Sequence, residues 1–453
     1  MHAHAHTHAP LCPVLRGMAG TAGCTPTRPG AGCCLVLVWC LVFALCPCQP
    51  AVAHRPHDVA GAVAASRDGA MVFAVVRNIL YRSADGGFNW EQANYQGLSQ
   101  VLAEDRWKPS LRLRQPATEL HLSPAFDRDG TLYVCDAKEG VFRSTDRGAS
   151  WRVVALPSGA GFVPASTARK ARAAALALSP AFSTDRTVYL AITSELLPGH
   201  RADQGAAGTI WRSRDGGGSF ARVWPPASLA GSALFSGRSP MCTALLATAD
   251  VVLAGTDAGV LLGSLDGGTT WQAVAILPGA CCCDSSDCDP GSAVTSVVGL
   301  SWNASAAPEE AHRGHTMRVV VVANSRGMFR VTFSCSTSGQ AGGRITTVAT
   351  DPLAPAGKHG PAVWSMASAP PQAPLQLRTL FSIPHASPVL LRSRDGGTTW
   401  AELGGPHGVM MDPRAAAGFQ AVPLNGVSSC GDKPGLLFLA TFAGVFKSEQ
   451  RGL

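Results

Sequence analysis

Ser264-Leu265-Asp266-Gly267-Gly268-Thr269-Thr270-Trp271 decides how this chain is read, because it recurs. The same pattern stands at Ser83 to Trp90, Ser144 to Trp151 and Ser393 to Trp400, and Ser213 to Phe220 is a fifth copy with Phe for Trp. The shared pattern is S-x-D-x-G-x-x-W. Each residue type in it has a local job. An Asp in a turn accepts hydrogen bonds from nearby backbone N–H groups. Gly permits the positive φ that a tight hairpin needs. The aromatic residue opens the next strand and buries its ring between layers. Each copy therefore predicts a hairpin.

The flanks repeat as well. In the second copy Thr131-Leu132-Tyr133-Val134-Cys135 and Gly140-Val141-Phe142-Arg143-Ser144 read as two short strands before the turn. Further first members of such pairs begin near Val72, Thr187, Val251, Arg318, Gln376 and Gly435, at spacings of 56 to 67 residues. One more strand precedes each pair, as in Ala175 to Pro180, and another starts at the Trp. Seven units of four strands predict an all-β chain, a single seven-bladed β-propeller whose repeats bury their faces against one another. The unit at Arg318 to Phe333 lacks the turn motif, and the last unit stops after its third strand with a worn copy at Ser448 to Gly452. The fourth strand of that unit is expected from residues at or just beyond His54 to His57.

Gly and Pro, 49 and 32 residues, fit a chain built of turns. Charged residues are 15%, against about 25% in an average domain, which excludes a charge-rich disordered chain or a coiled coil. A net charge of +7 over 453 residues is no nucleic-acid signature. No Asp or Glu precedes Asp58, Arg16 and Arg28 precede an apolar run from Leu35 to Cys46, and Ala51-Val52-Ala53 is a small-x-small cleavage pattern. Residues 1–53 therefore read as a cleaved leader, either a secretory signal or a bipartite one ending in a plastid lumen, and 54–453 as the propeller. The run is too short to span a bilayer comfortably. Seven of the 15 Cys fall before residue 50, which leaves eight for the mature chain.

The turn motif resembles the Asp-box, or bacterial neuraminidase repeat, and the chain resembles Asp-box propellers over nearly all of its mature length. That resemblance implies structural roles for Asp85, Trp90, Asp146, Trp151, Asp215, Phe220, Asp266, Trp271, Asp395 and Trp400. It also implies that ligands bind on the face opposite these turns. Its members include sialidases, xyloglucan-cleaving hydrolases, sortilin-type receptors and photosystem II assembly factors. A sialidase would need an Arg-Ile-Pro and a late Tyr, but none occurs: the tyrosines are Tyr81, Tyr95, Tyr133 and Tyr189. Xyloglucan hydrolases resemble two facing propellers and sortilin-type receptors one of ten blades. The assembly factors match best in size and blade count.

Two adjacent inter-blade loops read as basic. Arg106, Trp107, Lys108, Arg112 and Arg114 lie in the first, and Arg169, Lys170 and Arg172 in the second. Such a patch suits an acidic protein segment or polyanion. A glycosidase would need two carboxylates about 5–10 Å apart. Its loop candidates are Glu195, Asp203, Asp257, Glu309 and Glu310, and no spacing singles out a pair. Cys281, Cys282, Cys283 and Cys288 do not match zinc-ligand spacing and read as a disulfide-pinned loop, with Cys242, Cys335 and Cys430 as further partners. Asn303 opens the sequon Asn303-Ala304-Ser305. The insertions Glu195 to Gly208, with His200, Arg201 and Asp203, and Ala306 to His315, with His312 and His315, are further candidates to overhang a site.

The reading is a secreted or lumenal, non-catalytic, monomeric propeller. It binds a protein or glycan partner through its inter-blade loop face, with no metal, cofactor, nucleic acid or membrane span in the mature chain. The alternative is a glycoside hydrolase acting on a polysaccharide. N-terminal sequencing of the mature protein is expected to begin His54-Arg55-Pro56-His57; retention of residues before Ala53 would overturn the leader.

Overall fold

The computed structural model describes residues 60–76, 79–93, 118–136, 140–154, 169–196, 208–224, 240–278, 293–302, 315–324, 326–336, 343–353, 363–369, 379–384, 389–403, 424–433, 436–441 and 444–449. They form seven antiparallel sheets arranged as the blades of a propeller. Blade 1 is β1 (Ala60–Ala65), β2 (Val72–Val76), β3 (Ile79–Ser83) and β4 (Glu91–Gln92). Blade 2 is β5 (Thr118–Leu122), β6 (Leu132–Asp136), β7 (Gly140–Ser144) and β8 (Arg152–Val153), with the one-turn helix α1 (Phe126–Asp129) between β5 and β6. Blade 3 is β9 (Arg169–Leu178), β10 (Val188–Leu196), β11 (Gly208–Ser213) and β12 (Ala221–Trp224), with α2 (Phe182–Asp185) in the same place. Blade 4 is β13 (Cys242–Ala247), β14 (Val252–Thr256), β15 (Val260–Ser264) and β16 (Gln272–Ile276). Blade 5 is β17 (Ser296–Trp302), β18 (His315–Asn324), β19 (Gly327–Ser336) and β20 (Arg344–Leu353). Blade 6 is β21 (Val363–Ala369), β22 (Thr379–Pro384), β23 (Leu390–Ser393) and β24 (Ala401–Leu403). Blade 7 is β25 (Leu424–Ser429), β26 (Leu436–Thr441) and β27 (Gly444–Glu449).

The five repeated turns join the third strand of a blade to the fourth. In each, a serine hydroxyl donates to the aspartate Oδ1, at 2.8 Å in Ser83–Asp85, Ser144–Asp146, Ser264–Asp266 and Ser393–Asp395 and 2.7 Å in Ser213–Asp215. The serine Oγ in turn accepts from the amide of Gly87, Gly148, Gly217, Gly268 or Gly397 at 2.7–2.8 Å. The aspartate reaches forward to the amide of Asn89, Ser150, Ser219, Thr270 or Thr399. Trp90, Trp151, Trp271 and Trp400 donate their indole N–H back to the turn's own glycine carbonyl at 2.9–3.2 Å. All five serines are 1% exposed, so the hydroxyl is a buried polar group with both of its roles filled. Paired glycines hold φ between 68° and 98° here, and Arg147, at 58°, stands where the other four turns have Gly.

Strand alternation puts the core between blades rather than within them. From β2, Val72, Ala74 and Val76 pack with Trp90 against Leu436, Phe438 and Ala440 of blade 7. Phe73 and Val75 of the same strand pack against Phe126, Leu132, Phe142 and Trp151 of blade 2. Second strands such as VFAVV and LLFLAT are therefore continuously buried. Fourth strands such as β4 and β8 are two residues long and exposed, which keeps most outer edges short.

A basic side chain of the third strand, just before the turn serine in the blades that have one, reaches into the turn of the next blade. Arg143 Nη1 donates to Gly216 O at 2.9 Å, Arg212 Nη1 to Gly267 O at 2.7 Å, Arg82 Nη1 to Arg147 O at 3.3 Å and Arg330 Nη2 to Thr398 Oγ1 at 2.6 Å. Lys447 closes the series with its ammonium 4.7 Å from the Phe88 ring centroid. Blade 4 has Gly263 at this place, where any Cβ would meet Ile345 at 2.6 Å. The blade it faces, blade 5, lacks the turn motif. There Gln272 bonds Gly343 O at 2.8 Å and the Ile345 amide at 3.0 Å instead.

Two loops form a second repeat that the turn pattern did not reveal. Ser123 and Asp129 clasp α1, and Ser179 and Asp185 clasp α2, each pair joined at 2.6–2.7 Å. Phe126 and Phe182 insert edge-on against Phe73 and Tyr133 of the preceding blade.

The ring closes between blades 7 and 1. Asn425 Nδ2 donates to Ala60 O at 2.8 Å and Ser428 Oγ accepts from the Ala65 amide at 3.1 Å. The fourth strand of blade 7, expected from residues at or just beyond His54 to His57, falls outside the described residues: Ala60–Ala65 is the innermost strand of blade 1, and blade 7 has three strands among the described residues. Residues 54–59 lie outside them.

Hydroxyls of Ser219 and Ser213, then the Ser219 amide, hold the Asp215 carboxyl well below the usual carboxylate range. In Asp85, Asp146, Asp266 and Asp395 burial is the largest single effect and pushes upward, but the turn's hydrogen bonds together outweigh it and the net shift is down. A depressed folded value stabilises above the unfolded pKa of about 3.9 and is lost as pH falls through the folded value. Ser213→Ala is expected to destabilise by about 1–3 kcal/mol at pH 7, because the Gly217 amide loses its buried acceptor. Part of that difference should shrink below about pH 4. Urea melts at both pH values test it, and an unchanged midpoint at pH 7 would contradict it.

Candidate functional site

A four-stranded meander gives the ring two faces. Joins between strands one and two and between three and four open on one side, here the turn face. Joins between strands two and three and between blades open on the other, the loop face. The turn face carries α1, α2 and the five Ser–Asp turns. Two of its arginines are bonded at the surface: Arg67 pairs with Asp432 at 3.1 Å, and Arg147 donates to Asp127 O at 2.8 Å. Burial, then the charges of Asp68 and Asp432, push the Asp127 carboxyl up.

On the loop face one hairpin outgrows the others. Strands β9 and β10 have ten and nine residues, whereas the first strands of the other blades have five to seven. The added length lies at the loop-face end, where Arg169 pairs with Leu196, Lys170 with Glu195 and Arg172 with Thr193. A bulge between Ala191 and Ile192 separates this overhang from the regular part of the blade. The sequence reading put Arg169, Lys170 and Arg172 in a loop; the backbone is strand. The reason is the partner: Val188–Leu196 is rich in β-branched and aromatic residues and supplies a template for the alanine-rich run that precedes it.

Beside this hairpin the inner strand of blade 2 carries Glu119 and His121. His121 Nε2 lies 2.9 Å from Glu119 Oε2, and the Leu176 amide of blade 3 donates to the same oxygen at 3.3 Å. Glu119 thus joins two inner strands while its side chain stays 43% exposed, enough to meet a ligand. The sequence reading missed this pair. The available signal was a Glu and a His two apart on an expected strand, which share one side.

Asp257 is a turn residue. Its Oδ1 accepts from the Met241 amide at 2.8 Å, and its own amide donates to Met241 O at 2.9 Å. Of the other hydrolase candidates, Glu195 is in β10 opposite Lys170, while Asp203, Glu309 and Glu310 lie outside the described residues. So do Arg106, Trp107, Lys108, Arg112, Arg114, His200, Arg201, His312, Asn303, Cys281, Cys282, Cys283 and Cys288. Among the described residues no group of three His, Cys, Asp or Glu is placed to hold a metal ion, and no helix is long and apolar enough to cross a membrane.

The expected partners of the cysteine cluster are packed into blade interiors as free thiols: Cys242, Cys335 and Cys430 are at most 3% exposed. Burial pushes Cys335 and Cys430 up to about 11, and Cys242 higher still.

No protein-family model matches this chain, and no curated protein matches it. Among solved structures it is similar to YCF48 from Cyanidioschyzon merolae, at 14% identity over 87% of this chain and 96% of that one, with a TM-score of 0.43. It is similar to YCF48 bound to D1 peptide, at 12% identity over 88% and 94%, TM-score 0.45. It is also similar to the Cps50 (Swd1) β-propeller domain of Myceliophteria thermophila, at 12% identity over 86% and 96%, TM-score 0.48.

A thiol of pKa about 11 is roughly a thousandth ionised at pH 8, against about a quarter for a free cysteine near 8.5. Alkylation of Cys335 and Cys430 in the native protein at pH 8 is therefore expected to be over a hundredfold slower than after denaturation. Peptide mapping by mass spectrometry reads it, and equal rates would contradict the burial.

Proposed function

We propose that this chain is a non-catalytic Asp-box propeller that acts as a monomer in a secretory or lumenal compartment, after removal of residues 1–53. Its loop face takes a carboxylate-bearing segment of a protein or glycan partner. The observation that carries this reading is the overhanging β9–β10 hairpin, which sets Arg169, Lys170 and Arg172 within four positions of one another at the rim of the ring.

The physical argument is one of position. On the turn face the motif serines and aspartates are bonded within the turns and Arg143 into the neighbouring blade, so these groups serve the fold. The hairpin extends past the bulge, where its length adds nothing to the inter-blade cores. Three basic residues there favour an acidic ligand. Glu119, bonded to the Leu176 amide of the same strand β9, and His121 add a hydrogen-bonding pair that can read orientation.

The joint substitution Arg169→Glu and Lys170→Glu tests the reading. Capture of a glutamate-rich peptide by the purified mature chain is expected to fall at least tenfold at 0.1 M salt. The thermal midpoint should move little, because the overhang lies outside the cores. Unchanged capture would sink the proposal. Immunolocalisation of a C-terminally tagged protein tests the compartment; a cytosolic signal would contradict it.

A further inference from the structure

The seven inner strands meet their second strands in a common register. In blade 2 the third strand sets Arg143 opposite Tyr133, and the second strand sets Cys135, two residues on, opposite Glu119. The residues at the place of Glu119 in the other six blades are Ala62, Ala175, Ala244, Ser296, Ser365 and Gly426. Six small residues and one carboxylate therefore make up this level of the inner ring. His121 stands opposite Tyr133, and its six counterparts are Ala64, Ala177, Leu246, Val298, Ala367 and Ser428. Among the described residues Glu119 is the only acid on the inner strands, and His121 the only imidazole. Six blades build both levels without either group, so the pair in blade 2 is an addition to the fold.

Its geometry is that of an acceptor. Strand alternation sends Leu120 and Leu122 into the core shared with blade 1 and Glu119 toward blade 3. Only Oε2 of the carboxylate is engaged: His121 Nε2 lies 2.9 Å from it, and the Leu176 amide donates to it at 3.3 Å. These two contacts fix the direction of the group. Oε1 has no hydrogen bond among the described residues, and the side chain is 43% exposed. Glu119 is the second residue of β5, which starts from the loop face, so the free oxygen lies near that face. Its charge is felt further in: burial pushes the Cys242 thiol of blade 4 up, and the charge of Glu119 adds to the effect. No third His, Cys, Asp or Glu among the described residues joins the pair to hold a metal ion. What a fixed, half-exposed carboxylate with one free oxygen takes best is a cationic donor, through a charge-assisted hydrogen bond.

We propose that Glu119 seats a basic side chain, a lysine or an arginine, of the partner segment that the loop face takes. The inference rests on the reading of the β9 overhang as the place where that segment's acidic residues bind. Arg172 is four residues before Leu176 in β9, roughly 13 Å along a strand. An extended partner segment covers the same distance in about four residues. The partner is therefore a segment of mixed charge, acidic at one end with a basic residue about four positions away. The basic residue adds to the choice of partner, because a purely acidic segment leaves Glu119 without its counter-charge.

Two synthetic peptides with blocked ends test it, Glu-Glu-Glu-Gly-Gly-Gly-Lys and the reverse order Lys-Gly-Gly-Gly-Glu-Glu-Glu. Each is compared with a peptide in which norleucine replaces the lysine. Calorimetric titration of the purified chain at 0.1 M salt reads the affinities. In the order that fits, the lysine peptide is expected to bind at least fivefold more tightly than its norleucine counterpart. Glu119→Gln keeps an oxygen for the Leu176 amide and is expected to remove that preference. It should leave the norleucine peptide's affinity within twofold and the thermal midpoint unchanged. Equal binding of lysine and norleucine peptides in both orders would overturn the inference and leave the overhang reading standing. A lysine preference that survives Glu119→Gln would do the same. Binding by none of the four peptides would overturn the overhang reading, and this inference with it.

Discussion

A buried serine hydroxyl that bridges an aspartate and a glycine amide is the constraint on which the ring depends. The hydroxyl is out of water and needs both partners; the aspartate fixes its direction, and the glycine amide presents itself only because two positive-φ residues turn the chain back. The same turn then offers its carbonyl to the arginine of the blade before it. Local turn and blade-to-blade contact are one network. Blades 4 and 5 show the coupling by exception: blade 5 has no such turn, and blade 4 has no arginine to reach it. A glutamine and a run of outer-strand contacts make that join instead.

The cores lie between blades, so each blade is stable only through its neighbours. Phe73 belongs to the interface with blade 2 and Val72, beside it in sequence, to the interface with blade 7. A ring built this way needs its first and last blades to meet, and they do so through Asn425, Ser428 and the backbone of β1. What remains for other molecules is the part of the chain that serves no blade interface, namely the overhang of blade 3.

Much of this was legible in the sequence. The turn motif, the paired apolar strands and the spacing of units give seven blades. The clasp loops at Ser123–Thr131 and Ser179–Thr187 were equally repetitive, but they occur in two blades and their helices are one turn long, so no periodicity marks them. Arg169, Lys170 and Arg172 were misplaced because alanine and arginine favour no strand; their pairing is imposed by β10. Glu119 was missed because its role is a contact with Leu176 of the next blade, 57 positions away.

By itself the sequence determined each hairpin and the number of units, since turn geometry and strand alternation are short-range and each is written in a few consecutive residues. Only the tertiary structure decided which strand closes the ring and which arginine meets which turn. Those depend on which blades become neighbours, and the chain brings Ala65 to Ser428 only when all seven have packed.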